Sequence, residues 1–203
     1  MLPLLGAFGR VTGIDPAEAA IRYSQKLAAP GVELYQVDFP TQVPPGRDYD
    51  LVTMFDVLEH LDDDAAALRA AGTLLQPGGS LLVTVPALRS LWSPHDVINQ
   101  HRRRYRRREL RQRIEEAGFR LERLSYYNTL LFPAVFAARL LRRRLARRGD
   151  RRSDFRIGSD RINSCLADVF GAERHLLRRW NLPIGVSLLA IAVKPARDVG
   201  KPA

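Results

Sequence analysis

From Val11 to Pro86 the chain alternates short apolar runs of strand length with longer stretches whose apolar positions recur at helical spacing. VTGID (Val11–Asp15) reads as a strand and PAEAAIRYSQKLA (Pro16–Ala28) as a helix with proline in its first turn. VELYQVD (Val32–Asp38) is a second strand, followed by the loop FPTQVPPGRD. YDLVTMFD (Tyr49–Asp56) is a third strand, and a helix over Asp64–Leu75 ends before Gln76-Pro77-Gly78-Gly79. SLLVTVP (Ser80–Pro86) is a fourth strand. Strands that alternate with helices and are apolar along their length predict a parallel sheet covered on both faces.

Beyond Ala87 the pattern changes. LRSLWSPHDVINQHRRRYRRR reads as a long irregular segment, Glu109–Ala117 as a helix stopped by Gly118, and FRLERLSYYN (Phe119–Asn128) as a half-exposed strand. An arginine-rich helix starting near Phe132 runs into a polar linker, a further helix covers Ile162–Trp180, and VSLLAIAVKP (Val186–Pro195) is a last buried strand. We expect one domain over 1–203, with halves 1–87 and 88–203 and a basic helical insertion at 130–180. No internal repeat is present.

Composition narrows the class without choosing a function. At 46% hydrophobic and 27% charged residues the chain matches a globular protein, which excludes fibrous and wholly disordered readings. Its one cysteine, Cys165, excludes an internal disulfide and suits a reducing compartment, as a small core residue. No apolar run reaches the length of a membrane span and MLPLLGAFGR lacks the form of a secretory signal, so a cytoplasmic location is expected. The net charge of +10 is uneven: residues 1–100 carry six Lys/Arg against twelve Asp/Glu, and residues 101–203 carry twenty-six against ten. A basic second half suits nucleic acid, an anionic membrane or an anionic substrate, and composition does not rank them.

Three strands end in aspartate: Asp15, Asp38 and Asp56. Ligands of open parallel sheets sit outside the carboxyl ends of the strands. A carboxylate there accepts hydrogen bonds from both hydroxyls of a ribose, which fits Asp15. Asp38 with Phe39 suits an adenine amino group and its ring. Asp56 to His60 form the first turns beyond the third strand and can face a ligand. The acids Asp62 to Asp64 that follow need none, since aspartate caps a helix and negative charge favours its first turn.

Taken in order, VTGID, VELYQVDFP, YDLVTMFDVLEHLDD, LLQPGGSLLVTVPA and the distal EEAGF with its strand resemble a class I S-adenosylmethionine-dependent methyltransferase. The resemblance covers roughly Leu2 to Asn128 and the final strand. It implies an α/β, Rossmann-like, mostly parallel sheet with helices on both faces and extra C-terminal helices. It further implies S-adenosyl-L-methionine as cofactor, bound by Asp15 at the ribose, Asp38 and Phe39 at the adenine, and Phe55, Asp56, Val57 and Leu58 along the cleft. The family's first strand and glycine-rich loop are not in this sequence, and LPLLGAFG resembles the end of the helix after that loop. The expectation is therefore that Met1 is a misassigned start or a truncation point, with one more strand-loop unit upstream. A fold remnant that binds the cofactor poorly is the other reading.

For the reaction, histidines come first because their ordinary pKa lies near neutrality. His60 follows the third strand, as a catalytic group or as a packing residue. His95 and His101 sit in WSPHDVINQHRRRY with Trp92, Asp96, Arg103 and Tyr105, either as a lid that binds the acceptor or as a basic loop whose His95 and Asp96 fix a turn. Two histidines and an aspartate in one loop do not give a metal-ligand spacing, so no metal is expected. The stripe Ala137, Leu141 and Leu145 among the arginines of Arg139–Arg148 suits an anionic membrane surface and a lipid-linked acceptor, or simply a solvated helix against the domain. A nucleic-acid-binding module is the reading from another class. It ranks below a small-molecule or lipid-linked acceptor because no recognisable RNA or DNA motif accompanies the arginines.

Overall fold

A computed structural model of the chain describes residues 2–28, 30–145 and 160–196, and within these the side chains of 2–3, 142–145 and 160–166 are not described. The chain divides into two compact units, Met1–Arg47 and Asp48–Ala203.

The first unit holds α1 (Leu2–Gly6), β1 (Val11–Asp15), α2 (Glu18–Leu27) and β2 (Val32–Gln36). β1 and β2 pair in parallel with Asp15 opposite Gln36, and the main chain carries the pairing one step further, Val37 N donating to Asp15 O. The carboxylate of Asp15 then starts the next element: its Oδ1 accepts from Ala17 N at 2.8 Å, satisfying one of the donors that a helix start leaves over. Ile21 of α2 and Val37 are the buried apolar side chains of this unit.

The second unit contains β3 (Tyr49–Phe55), α3 (Asp64–Leu74), β4 (Leu75–Pro86), α4 (Pro94–Ile98), α5 (Arg107–Glu116), β5 (Arg120–Tyr127), α6 (Phe132–Leu145), α7 (Asp160–Arg179) and β6 (Ser187–Val193). Its sheet has the order β3-β4-β6-β5. β3 and β4 are parallel, and β6 pairs antiparallel with both β4 and β5, so three strands run one way and β6 against them. The mixed α/β, mostly parallel sheet expected from the sequence is thus the architecture found. Leu81, Val83 and Val85 of β4 and Leu188, Ala190 and Ala192 of β6 are buried. α3 covers the sheet with Ala67, Leu68 and Ala71, and α5 contributes Leu110 and Ile114, all at helical spacing and all fully buried.

Two elements differ from the sequence reading. β4 begins at Leu75, before the Gln76-Pro77-Gly78-Gly79 turn signal, because Tyr49 pairs with Leu75 and the glycine backbone is held by β6: Gly78 N donates to Lys194 O, and Lys194 N to Gly79 O. Gly78 has φ +83, and a Cβ on Gly79 would stand 2.9 Å from the carbonyls of both Gln76 and Tyr49. The irregular segment after Ala87 contains α4, whose start is a capping box built by Ser93 and Asp96 with Pro94 in the first turn. The capping role expected of the aspartates is present at Asp63, whose carboxylate accepts from Ala66 N at 2.8 Å.

Candidate active site at the end of β3

β3 ends by a change of backbone hand. Asp56 has φ +52, a conformation aspartate tolerates better than most residues, and its N–H donates to both the carbonyl (3.0 Å) and the hydroxyl (3.1 Å) of Thr84 on β4. The chain then makes one 3-10 turn, Leu58–His60. Leu58 and Glu59 are fully buried while His60 is more open.

The segment 101–105 is pinned residue by residue against this turn and the acids after it. Arg102 N donates to Glu59 O, and its guanidinium reaches His60 O (2.8 Å) and Asp62 (2.7 Å). Arg103 donates to the carbonyls of Leu61 and Asp62 and pairs with Asp64 at 3.2 Å. Arg104 is buried, donating to Asp96 Oδ1 at 2.8 Å and to Ala87 O at 2.9 Å. Tyr105 is fully buried, its hydroxyl donating to Asp64 Oδ2 at 2.8 Å while its main chain pairs with Pro86 and Leu88. Burial and the bond to Asp64 push its phenol up, so it stays an un-ionised donor.

Asp96 organises the centre of this arrangement. It has no exposed surface, and its two oxygens take four donors: Ser93 N and Ser93 Oγ on Oδ2, and Arg104 Nε and His101 Nδ1 on Oδ1. Burial raises its pKa, but the charge and hydrogen bond of Arg104, with those of Ser93 and His101, outweigh burial and hold the carboxyl below its usual range. An ionised carboxylate only accepts, so the 2.9 Å contact places a proton on His101 Nδ1 and fixes the orientation of the ring. The rings of His101 and His60 meet edge to face with centroids 4.8 Å apart. Burial and the neighbouring His101 push the His60 pKa down, against its hydrogen bond to the Gln100 main chain and the charge of Asp56.

Glu59 is the anomaly. Neither carboxylate oxygen has a hydrogen-bond partner, and burial pushes its pKa up to about 8. Asp56 is likewise raised by burial. On the opposite edge strand, Tyr127 ends β5 with its hydroxyl bonded to Thr84 and Ser187, and burial, then the charge of Asp56, raise its pKa.

The residues singled out in the sequence are thus distributed as follows. In the first unit, Asp15 and Asp38 lie at the same end of the parallel pair, Asp15 half-buried, Asp38 exposed and Phe39 half-buried beside it. In the second, Phe55, Asp56, Val57, Leu58, His60 and His101 gather at the end of β3. His95 takes Asn99 as a partner at 2.9 Å, and Trp92 is half-buried at the end of a short 3-10 turn. Asp96, Arg103 and Tyr105 direct their polar atoms inward, to the contacts just given. Sequence reasoning covered Glu59 only within the span Asp56 to His60, with no role of its own, and gave no site role to Thr84, Arg104 or Tyr127. The one available signal was Glu59 itself, an acid set directly after Val57-Leu58 in a run otherwise continuing the strand.

Comparison with known proteins agrees with this architecture. Residues 1–124 match the family described as methyltransferase domain. The chain is 38% identical over 81 residues to the ubiquinone biosynthesis O-methyltransferase of Albidiferax ferrireducens, a stretch covering 37% of this chain and 31% of that protein. It is 39% identical over 80 residues to the protein of the same name from Aeromonas salmonicida, covering 36% and 33%. The matched stretch spans about a third of these relatives' length. An S-adenosylmethionine-dependent methyltransferase from Mesorhizobium loti shares the fold at a TM-score of 0.60 and 12% identity, over 94% of this chain and 84% of that one. Strand order, the acid-tipped strands and a family match over more than half the chain converge on one conclusion: the chain belongs to the methyltransferase domain family, in its class I S-adenosylmethionine-dependent form.

Proposed function

We propose that this chain serves S-adenosylmethionine-dependent methyl transfer to a hydroxyl oxygen of a small-molecule or lipid-linked acceptor. The observation that carries the reading is the group of titratable side chains at the end of β3, where Asp96 orients the His101 ring through Nδ1 and His60 stands beside it. Hydroxyl methylation requires such a group, because the oxygen must lose its proton as it becomes the nucleophile. The names of the curated relatives, O-methyltransferases of ubiquinone biosynthesis, point the same way.

The residues of the first unit fit the cofactor. Asp15 and Asp38, at one end of a parallel pair with Phe39 beside them, offer acceptors for ribose hydroxyls and for an adenine amino group. When bound, S-adenosylmethionine supplies an electrophilic methyl group: the carbon–sulfur bond breaks as the oxygen–carbon bond forms, and the sulfur keeps the electron pair. The chain's own work at the other reactant is to position the hydroxyl and take its proton at the end of β3, with the imidazole rings held in place before the acceptor arrives.

The arginines speak against a nucleic-acid partner as the main role. Arg102, Arg103, Arg104, Arg107, Arg113 and Arg123 are engaged within the molecule, on carboxylates or main-chain carbonyls. The test is calorimetric binding of S-adenosylhomocysteine, followed by transfer of labelled methyl to catechol-type acceptors. We expect saturable binding that Asp15→Ala weakens at least tenfold, and transfer that His101→Ala lowers by about 100-fold or more. Transfer unaffected by His101→Ala would remove the role given to the end of β3.

A further inference from the structure

A buried carboxylate with no partner is costly, on the order of several kcal/mol for an ion left uncompensated. The structure contains one, Glu59, and it stands among groups that supply the remedy. One donor atom each from Glu59, His60 and His101 lies within 4.8 Å of the others. Arg104, the buried cation nearest in the chain fold, is committed to Asp96 and to Ala87 O and does not neutralise Glu59 by hydrogen bonding.

The imidazoles are also prepared in the way metal ligands are. A ligating histidine donates its other ring N–H to a carboxylate or a carbonyl, which fixes the tautomer and aims the lone pair. His101 has Asp96 in that position, itself immobilised by Ser93 and Arg104, and His60 has the Gln100 main chain. Two residues from one turn and one from a segment forty positions on are brought together by the clamp of 101–105 described above.

We propose that Glu59, His60 and His101 form a binding site for a first-row divalent transition-metal ion such as Zn²⁺ or Mn²⁺. Two imidazoles and one carboxylate favour such an ion over Mg²⁺ or Ca²⁺, which prefer all-oxygen shells. Donor atoms around a tetrahedral ion at ~2.1 Å stand ~3.4 Å apart, so the ligands close by about an ångström on binding, His60 having the room to move. Three protein ligands leave a coordination position for an acceptor oxygen; with the imidazole lone pairs on the ion, the ion would take over the part given to His101 above by lowering the pKa of that oxygen, whose proton would leave to water. That last role rests on the methyl-transfer reading; the metal site does not.

The experiment uses the full chain, stripped with a chelator and titrated calorimetrically with MnCl₂, ZnCl₂ and MgCl₂, without S-adenosylmethionine. We expect one Mn²⁺ or Zn²⁺ per chain with a rise in melting temperature, and Mg²⁺ at least tenfold weaker. Glu59→Gln, close in shape, and His60→Ala, at the most open ligand, should each weaken binding on the order of 100-fold while circular dichroism stays native. Absence of binding to the unsubstituted chain, or binding that both variants leave unchanged, overturns the site. S-adenosylhomocysteine binding in excess chelator reads the methyltransferase role separately. Metal binding without it keeps the site and removes its part in methylation, and methyl transfer undiminished by the chelator in a chain that binds no metal removes the site alone.

Discussion

At the residue scale, Asp96 shows how much one side chain decides. Its carboxylate satisfies the start of α4, the buried guanidinium of Arg104 and the ring of His101 at once. Replacing it by alanine strands a buried cation, and we expect Asp96→Ala to lower the unfolding free energy by about 3 to 5 kcal/mol in urea titrations at neutral pH. The pH dependence has a definite sign. The folded-state pKa lies below the ordinary carboxylate value, so the stabilisation is complete above that value and is lost as pH falls through the folded one; the melting temperatures of the two proteins should converge in acid. The sequence allowed that Asp96 fixes a turn, but not its pairing with Arg104 and His101. Arg104 is one of six arginines between positions 102 and 108, and only the pairing of Tyr105 with Pro86 and Leu88 determines that Arg104 turns inward while Arg102 turns out.

At the element scale, the strands were easiest to read. β1 and β3 fall where the apolar runs placed them, because each run ends at an acid that cannot continue into the core. The early start of β4 was hidden by Pro77 and two glycines, residues that signal a turn in isolation, although here Gly78 and Gly79 exchange main-chain hydrogen bonds with Lys194, just after β6. α4 was hidden too, since five residues carry too little periodicity to register and its capping box is recognisable only once Ser93 and Asp96 are seen to meet. Gly185, just before β6, offered no sequence signal either. A Cβ there would collide with the carbonyl of Tyr127, on the strand beside it. Gly185→Ala should therefore destabilise the unit by about 1 to 3 kcal/mol or more, measured as a drop in melting temperature, with Gly171→Ala, which meets nothing within 4 Å and lies inside α7, as the control that loses no stability.

At the scale of the whole molecule, several of the arginines behind the net charge of +10 are engaged within the second unit. Arg139, expected on a membrane-facing stripe, is buried and donates to Leu91 O. The side chains of Arg142 to Arg144, with all of Arg147 and Arg148, lie outside the described residues. Among its described residues, α6 exposes the apolar side chains of Phe136, Leu140 and Leu141. No described helix is long and apolar enough to cross a membrane. If this face meets an anionic bilayer, the chain will sediment with phosphatidylglycerol vesicles and not with neutral ones, and Phe136→Ser with Leu140→Ser will abolish the effect; equal recovery in the supernatant removes the idea. The sheet order carries a different consequence, for biogenesis. β6, late in the chain, is inserted between β4 and β5, so a nascent polypeptide on the ribosome holds two strands with bare facing edges until residue 193 has emerged. Closure of this sheet therefore waits for β6, and chaperone capture of the waiting edges is the hazard built into its topology.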